Sequence, residues 1–169
     1  RRILSDALVG ANYPRDAVFY HARVLGAFAG IDDRRNAAEV SLRHIRSAFP
    51  FNRAGRRLRD CTDVSEDAAT PYFTNYSMQL IVEELGLQTA EDLWRTGWGW
   101  MLDHDARTWW EVFDDRWSQC HYWTGAPTWQ LSRSVLGINP TWHHGRSVVS
   151  VAVRPGAHTE AHGIIGVTT

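Results

Sequence analysis

Apolar residues recur at three- and four-residue steps through most of the chain, the period of helices that bury one face. From Arg15 to Ser47 the positions are Val18, Ala22, Leu25 and Ala29, then Ala37, Val40, Ile45 and Ala48. They predict two helices split at Gly30-Ile31-Asp32-Asp33, with Asp32 or Asp33 accepting from the unpaired N–H groups of the second helix's first turn. Phe49-Pro50-Phe51 ends this pair, and 52–70, polar and without period, reads as a long ordered loop. Helical period returns at Tyr72–Leu85, closed by Gly86. Thr89 then caps a further helix with an acidic first turn (Glu91, Asp92) and apolar Leu93, Trp94 and Met101. Pro127–Leu136 predicts another helix with Trp129, Leu131 and Val135 inward, closed by Gly137 and stopped by Pro140. Beyond it the pattern turns β-branched. Ser147–Val153 and Gly163–Val167 read as strands separated by the turn dipeptide Pro155-Gly156.

Successive helical hairpins followed by strands predict a mainly α fold. The expected organisation is part of an (α/α) toroid over residues 1–145, and the first strands of a β-sandwich-like domain over 146–169. A length of 169 residues is enough for a sizeable core but short of a whole six-hairpin toroid, so the missing amino-terminal part of the same enzyme is an expected partner. Helix faces left uncovered by such a truncation predict aggregation or pairing with another polypeptide.

Charge removes several function classes. Eighteen basic residues, all arginine, face nineteen acidic ones, with no basic block to bind nucleic acid or an anionic membrane. The longest apolar stretches, Ala27–Ile31 and Gly163–Val167, fall far short of a bilayer span. Arg1–Gly10 lacks the apolar core of a signal peptide, which a truncated chain would have lost in any case, so export stays open. Cys61 and Cys120 lie 59 positions apart without paired-ligand spacing, and both read as buried thiols. His143-His144 are adjacent and point apart, with no third ligand at useful spacing, so neither a metal nor another cofactor is expected.

Tryptophan changes the picture. All nine indoles fall between Trp94 and Trp142. Each buried indole needs a partner for its N–H, so a core seldom uses so many, whereas sugar clefts use flat rings against pyranose C–H faces. Within this region stand Trp98-Gly-Trp-Met-Leu, then Thr108-Trp-Trp-Glu111, then Ser118-Gln-Cys-His121, and a helix ending in Gly137-Ile-Asn-Pro140. In these motifs the chain resembles the α-L-rhamnosidases of the six-hairpin glycosidase superfamily, over about residues 15 to 140. The resemblance implies inverting hydrolysis of α-L-rhamnosides, or of a related terminal glycoside, with Glu111 activating water and His121 touching the sugar. Inversion also demands a second carboxyl to protonate the leaving oxygen. In the family that acid comes from earlier barrel helices, and nothing in this sequence supports Glu66 in the role.

Trp98, Trp100, Trp109, Trp110 and Trp123 are the candidate stacking platforms; alternation along any element limits those facing one ligand to two or three. Asp103, Asp105, Asp114 and Asp115 are candidates for holding sugar hydroxyls or orienting the base, beside their plainer role as loop and cap residues. Two other readings stand: a non-catalytic carbohydrate-binding or scaffold module with a tryptophan-lined cleft, and a helical interaction protein whose indoles form an interface.

Overall fold

The computed structural model describes residues 20–48, 69–115, 117–143 and 146–152. The protein is mainly helical with a small two-stranded antiparallel sheet.

Helix α1 (Tyr20–Phe28) and helix α2 (Arg34–Ala48) are the first expected pair. A Schellman turn ends α1: the Ile31 N–H donates to the Gly26 carbonyl at 2.8 Å and the Gly30 N–H to Ala27 at 3.1 Å. Gly30 takes the left-handed conformation there, with φ 69°. Of the two expected caps, Asp33 is the one used, its carboxylate accepting from the Asn36 N–H at 2.7 Å. Asp32 instead pairs with the buried Arg23 guanidinium at 3.3 Å.

Helix α3 (Pro71–Leu85) starts on Thr70, whose hydroxyl accepts from the Phe73 N–H, with Pro71 at the first helical position. Helix α4 (Leu87–Asp103) follows after the single residue Gly86, at φ 95°. Thr89 therefore does not cap it. It lies inside the first turn and its hydroxyl donates back to the Leu85 carbonyl at 3.4 Å, because glycine alone makes the bend that the sequence reading spread over four residues. Helix α5 (Ala126–Ser134) packs on α3 and α4.

The inward face of α5 differs from expectation. Trp129 and Leu131 are each 41% exposed, while Ala126, Pro127, Gln130 and Ser134 are buried. A polar network causes this rotation: the Gln130 side-chain oxygen accepts from the Trp94 indole at 3.1 Å, and its amide donates to the backbone and side-chain oxygens of Asn75 at 2.8 Å. Three helices are thereby joined through one fully satisfied glutamine. Around it the core runs through Val24, Ala38, Ile45, Met78, Ile81, Leu93, Trp98 and Met101.

Strand β1 (Ile138–His143) pairs antiparallel with β2 (Arg146–Val151), from Ile138 opposite Val151 to His143 opposite Arg146. The strand expected at Ser147–Val153 thus exists, but its partner lies upstream, so strand structure begins before residue 146 and Pro140 sits within β1 rather than simply stopping a helix. The expected strand Gly163–Val167, the loop over 52–68, Glu66 and Cys61 lie outside the described residues.

Candidate active site

Two stretches build the site, and backbone pairing sets both. The Glu111 N–H donates to the Ser118 carbonyl at 2.9 Å and the His121 N–H to the Trp109 carbonyl at 2.8 Å. The Thr108 hydroxyl adds a bond to the Gln119 carbonyl. Residues 108–111 are thereby laid against 118–121, which brings Glu111 and His121, ten positions apart in sequence, to one side.

Below this ladder the segment is fixed at two notches where glycine admits an aromatic ring. A Cβ on Gly125 would stand 2.8 Å from Trp109 Cδ1, and one on Gly97 would stand 2.6 Å from Phe113 Cε1. Trp109 and Phe113 are each two residues from Glu111, so the carboxylate sits at the middle of a span held at both ends. Phe113 also meets Trp98 edge to face, with centroids 5.0 Å apart. The 3₁₀ turn Tyr122–Thr124 closes the segment, its Thr124 carbonyl accepting from the Trp98 indole at 2.8 Å.

Above it opens a cavity of about 390 Å³ lined by Thr70, Tyr72, Glu111, Val112, Trp117, His121 and Trp123. The Glu111 carboxylate (side chain 38% exposed) and the His121 Nδ1 (24%) stand 4.0 Å apart. That is too long for a direct hydrogen bond and suits a bridge through one hydroxyl or water. Trp117 and Trp123 are 42% and 52% exposed, so indole surface is presented to solvent beside the carboxylate. His121 meets Trp123 nearly perpendicular at 5.6 Å, and Trp123 leans on the exposed Tyr122 at 4.1 Å. Tyr72, on the first turn of α3, also lines the cavity and stands edge to face with Tyr76 at 6.0 Å. Its hydrogen bond with Tyr76 holds the Tyr76 phenol above its ordinary range.

The five candidate platforms divide. Trp123 lines the Glu111 cavity. Trp98 does not: it is 2% exposed, its N–H is spent on Thr124, and it is a core residue. Trp109 packs against Gly125. Trp100 and Trp110, 9% and 5% exposed, meet edge to face at 5.6 Å and line a different cavity, of about 620 Å³. Adjacent residues of an extended segment point to opposite faces, which is why Glu111 and Trp110 part company. Asp114 is buried, Asp105 and Asp115 border the Trp110 cavity, and Asp103 is the exposed end of α4. Cys120, read from sequence as a buried thiol, is exposed and unbridged, because the alternation that turns His121 toward Glu111 turns its neighbour away.

Trp117 and Tyr72 were not singled out by sequence. Trp117 shares the tryptophan-rich stretch but belongs to no motif, and Tyr72 reaches the cavity from a helix about forty residues upstream, a contact that only tertiary packing creates. Among the described residues no group of three or more His, Cys, Asp or Glu side chains could hold a metal ion, and no helix is long and apolar enough to cross a membrane. Comparison with known proteins returns no matching family model, no matching curated protein and no matching solved structure.

Proposed function

We propose that this chain carries the water-activating half of an inverting glycoside hydrolase site of the α-L-rhamnosidase type, in an (α/α) six-hairpin domain, with Glu111 as general base. One observation carries the reading: Glu111 and His121 face one cavity at 4.0 Å, beside the exposed indoles of Trp117 and Trp123. In the reaction Glu111 takes a proton from water, and the hydroxide so formed attacks the anomeric carbon. The glycosidic bond breaks, and the leaving oxygen takes a proton from a carboxylic acid about 6.5 to 9.5 Å from Glu111. His121 hydrogen-bonds a sugar hydroxyl, and the indoles stack on the C–H face of the ring.

Among the described residues Glu111 is the one carboxylate lining this cavity, so the acid has to come from another segment or another polypeptide. The same observation favours the second reading, a carbohydrate-binding module without catalysis. Hydrolysis of p-nitrophenyl α-L-rhamnoside separates the two. The enzyme reading expects turnover that falls about 10²- to 10⁴-fold in Glu111→Gln, the usual contribution of a general base. Rhamnose binding without turnover supports the binding module or a half site whose acid lies on another polypeptide, and neither binding nor turnover overturns both readings.

A further inference from the structure

The larger cavity, behind the ladder that carries Glu111, has a feature that folding does not require. Helix α4 ends in a Schellman turn: the Ala106 N–H donates to the Met101 carbonyl at 3.0 Å and the Asp105 N–H to Leu102 at 3.2 Å. The left-handed residue of such a turn is ordinarily glycine, as it is at Gly30 after α1, yet here it is Asp105, at φ 60°. An L side chain there costs about 1 kcal/mol relative to glycine, and what the chain gains is an exposed carboxylate on the cavity wall.

The surrounding wall is polar and of mixed sign. Arg107 and Asp115 line it together with the mostly buried Trp100 and Trp110. His104 is held in place, its ring stacked on Trp100 at 3.8 Å and its Nδ1 2.8 Å from the Trp100 carbonyl. A carbonyl can only accept, so Nδ1 carries the hydrogen, and in the neutral ring Nε2 is left as an acceptor.

We infer that this cavity, about 620 Å³, is a second carbohydrate-binding cleft that takes a neutral saccharide, with Asp105 as a hydroxyl-binding residue. Carboxylates accept from the paired hydroxyls of a vicinal diol, a guanidinium donates to ring and hydroxyl oxygens, and apolar indole surface meets C–H groups. Among the described residues two carboxylates stand against one guanidinium, which disfavours an acidic sugar. The volume lies within the roughly 300 to 1,000 Å³ of small-molecule sites. The inference stands on residues other than Glu111 and His121 and does not depend on the activity proposed for them.

Cys120 supplies the test, since it is exposed on the same wall. Its alkylation by iodoacetamide, followed by peptide mass spectrometry so that Cys61 is counted separately, should slow severalfold under saturating maltose, cellobiose or lactose. Digalacturonate should protect less. Asp105→Gly should leave the chain at least as stable while raising the saccharide concentration that gives half-protection roughly tenfold, the worth of one hydrogen bond to a charged group, and Glu111→Gln should leave that concentration unchanged. Absence of protection by every neutral disaccharide, protection by the acidic one alone, or protection undiminished in Asp105→Gly would each overturn the inference. The glycine variant relieves strain rather than adding it, so loss of protection there cannot be put down to misfolding.

Discussion

Replacing Gly97 by alanine tests how the Glu111 segment is held. The new methyl would lie 2.6 Å from Phe113 Cε1, 3.1 Å from Cδ1 and 3.2 Å from Cζ, where carbon atoms prefer about 3.5 to 4.0 Å. Phe113 has little room to retreat, being 2% exposed and edge-on against Trp98. Overpacking of this kind costs about 1 to 3 kcal/mol. Against it stands the gain of about 1 kcal/mol when alanine replaces glycine inside a helix. Gly99, in the same helix, isolates that gain, because a Cβ there meets nothing closer than 3.7 Å. Gly99→Ala is therefore expected to stabilise by about 1 kcal/mol, and Gly97→Ala to fall below it by about 1 to 3 kcal/mol. Urea denaturation followed by circular dichroism measures both, provided the slope is unchanged between variants. Phe113→Leu should relieve the Gly97→Ala cost in a double-mutant cycle with a coupling above 0.5 kcal/mol. Equal stabilisation by the two alanines would refute the notch and, with it, the account of how Glu111 is positioned.

Two further predictions follow from buried groups. Gln130→Leu strands the Trp94 indole N–H in the core, at about 1 to 3 kcal/mol for the orphaned group, and removes a donor from the half-buried Asn75 side-chain oxygen; a loss below 1 kcal/mol in the same urea assay would mean that water replaces the amide. Partial burial lowers the His21 pKa from its ordinary 6.5, with Tyr20 and Phe73 packed on the ring and the His44 imidazole stacked on Tyr20. The unfolded chain then binds the proton more readily than the folded one, so this contribution to stability is complete above 6.5 and is lost as the pH falls through 6.5 toward the folded value. His21→Phe should flatten the stability profile over that window; an unchanged slope would locate the acid sensitivity elsewhere.

Much of the architecture was legible in the sequence because local rules decided it. Gly30, Asp33 and Gly86 mark the helix ends that three- and four-residue periodicity predicts, the glycines through positive-φ backbone and Asp33 through its carboxylate. The misreadings come from competition that the pattern does not contain. Trp129 and Leu131 look like core by composition, but Gln130 takes the inward position since its amide reaches both Trp94 and Asn75. Trp98 looks like a platform by membership in an aromatic motif, but Thr124 and Phe113 claim its N–H and its face. Glu111 and His121 are each named by motif resemblance, but their 4.0 Å separation and the Tyr72 wall depend on tertiary packing, which no local signal reports.

If the proposed site is right, the cavity of Glu111 and His121 receives a sugar. A tryptophan-fluorescence titration with L-rhamnose decides this, run in the Asp105→Gly background that weakens binding in the Trp100 and Trp110 cavity, on the chain otherwise unaltered, on Trp98→Phe and on the double variant Trp117→Phe, Trp123→Phe. A saturable change is expected that persists in Trp98→Phe, whose replaced indole lies in the core, and disappears in the double variant, whose replaced indoles line the cavity. A saturable change that survives loss of Trp117 and Trp123, or no change with any variant, would contradict it.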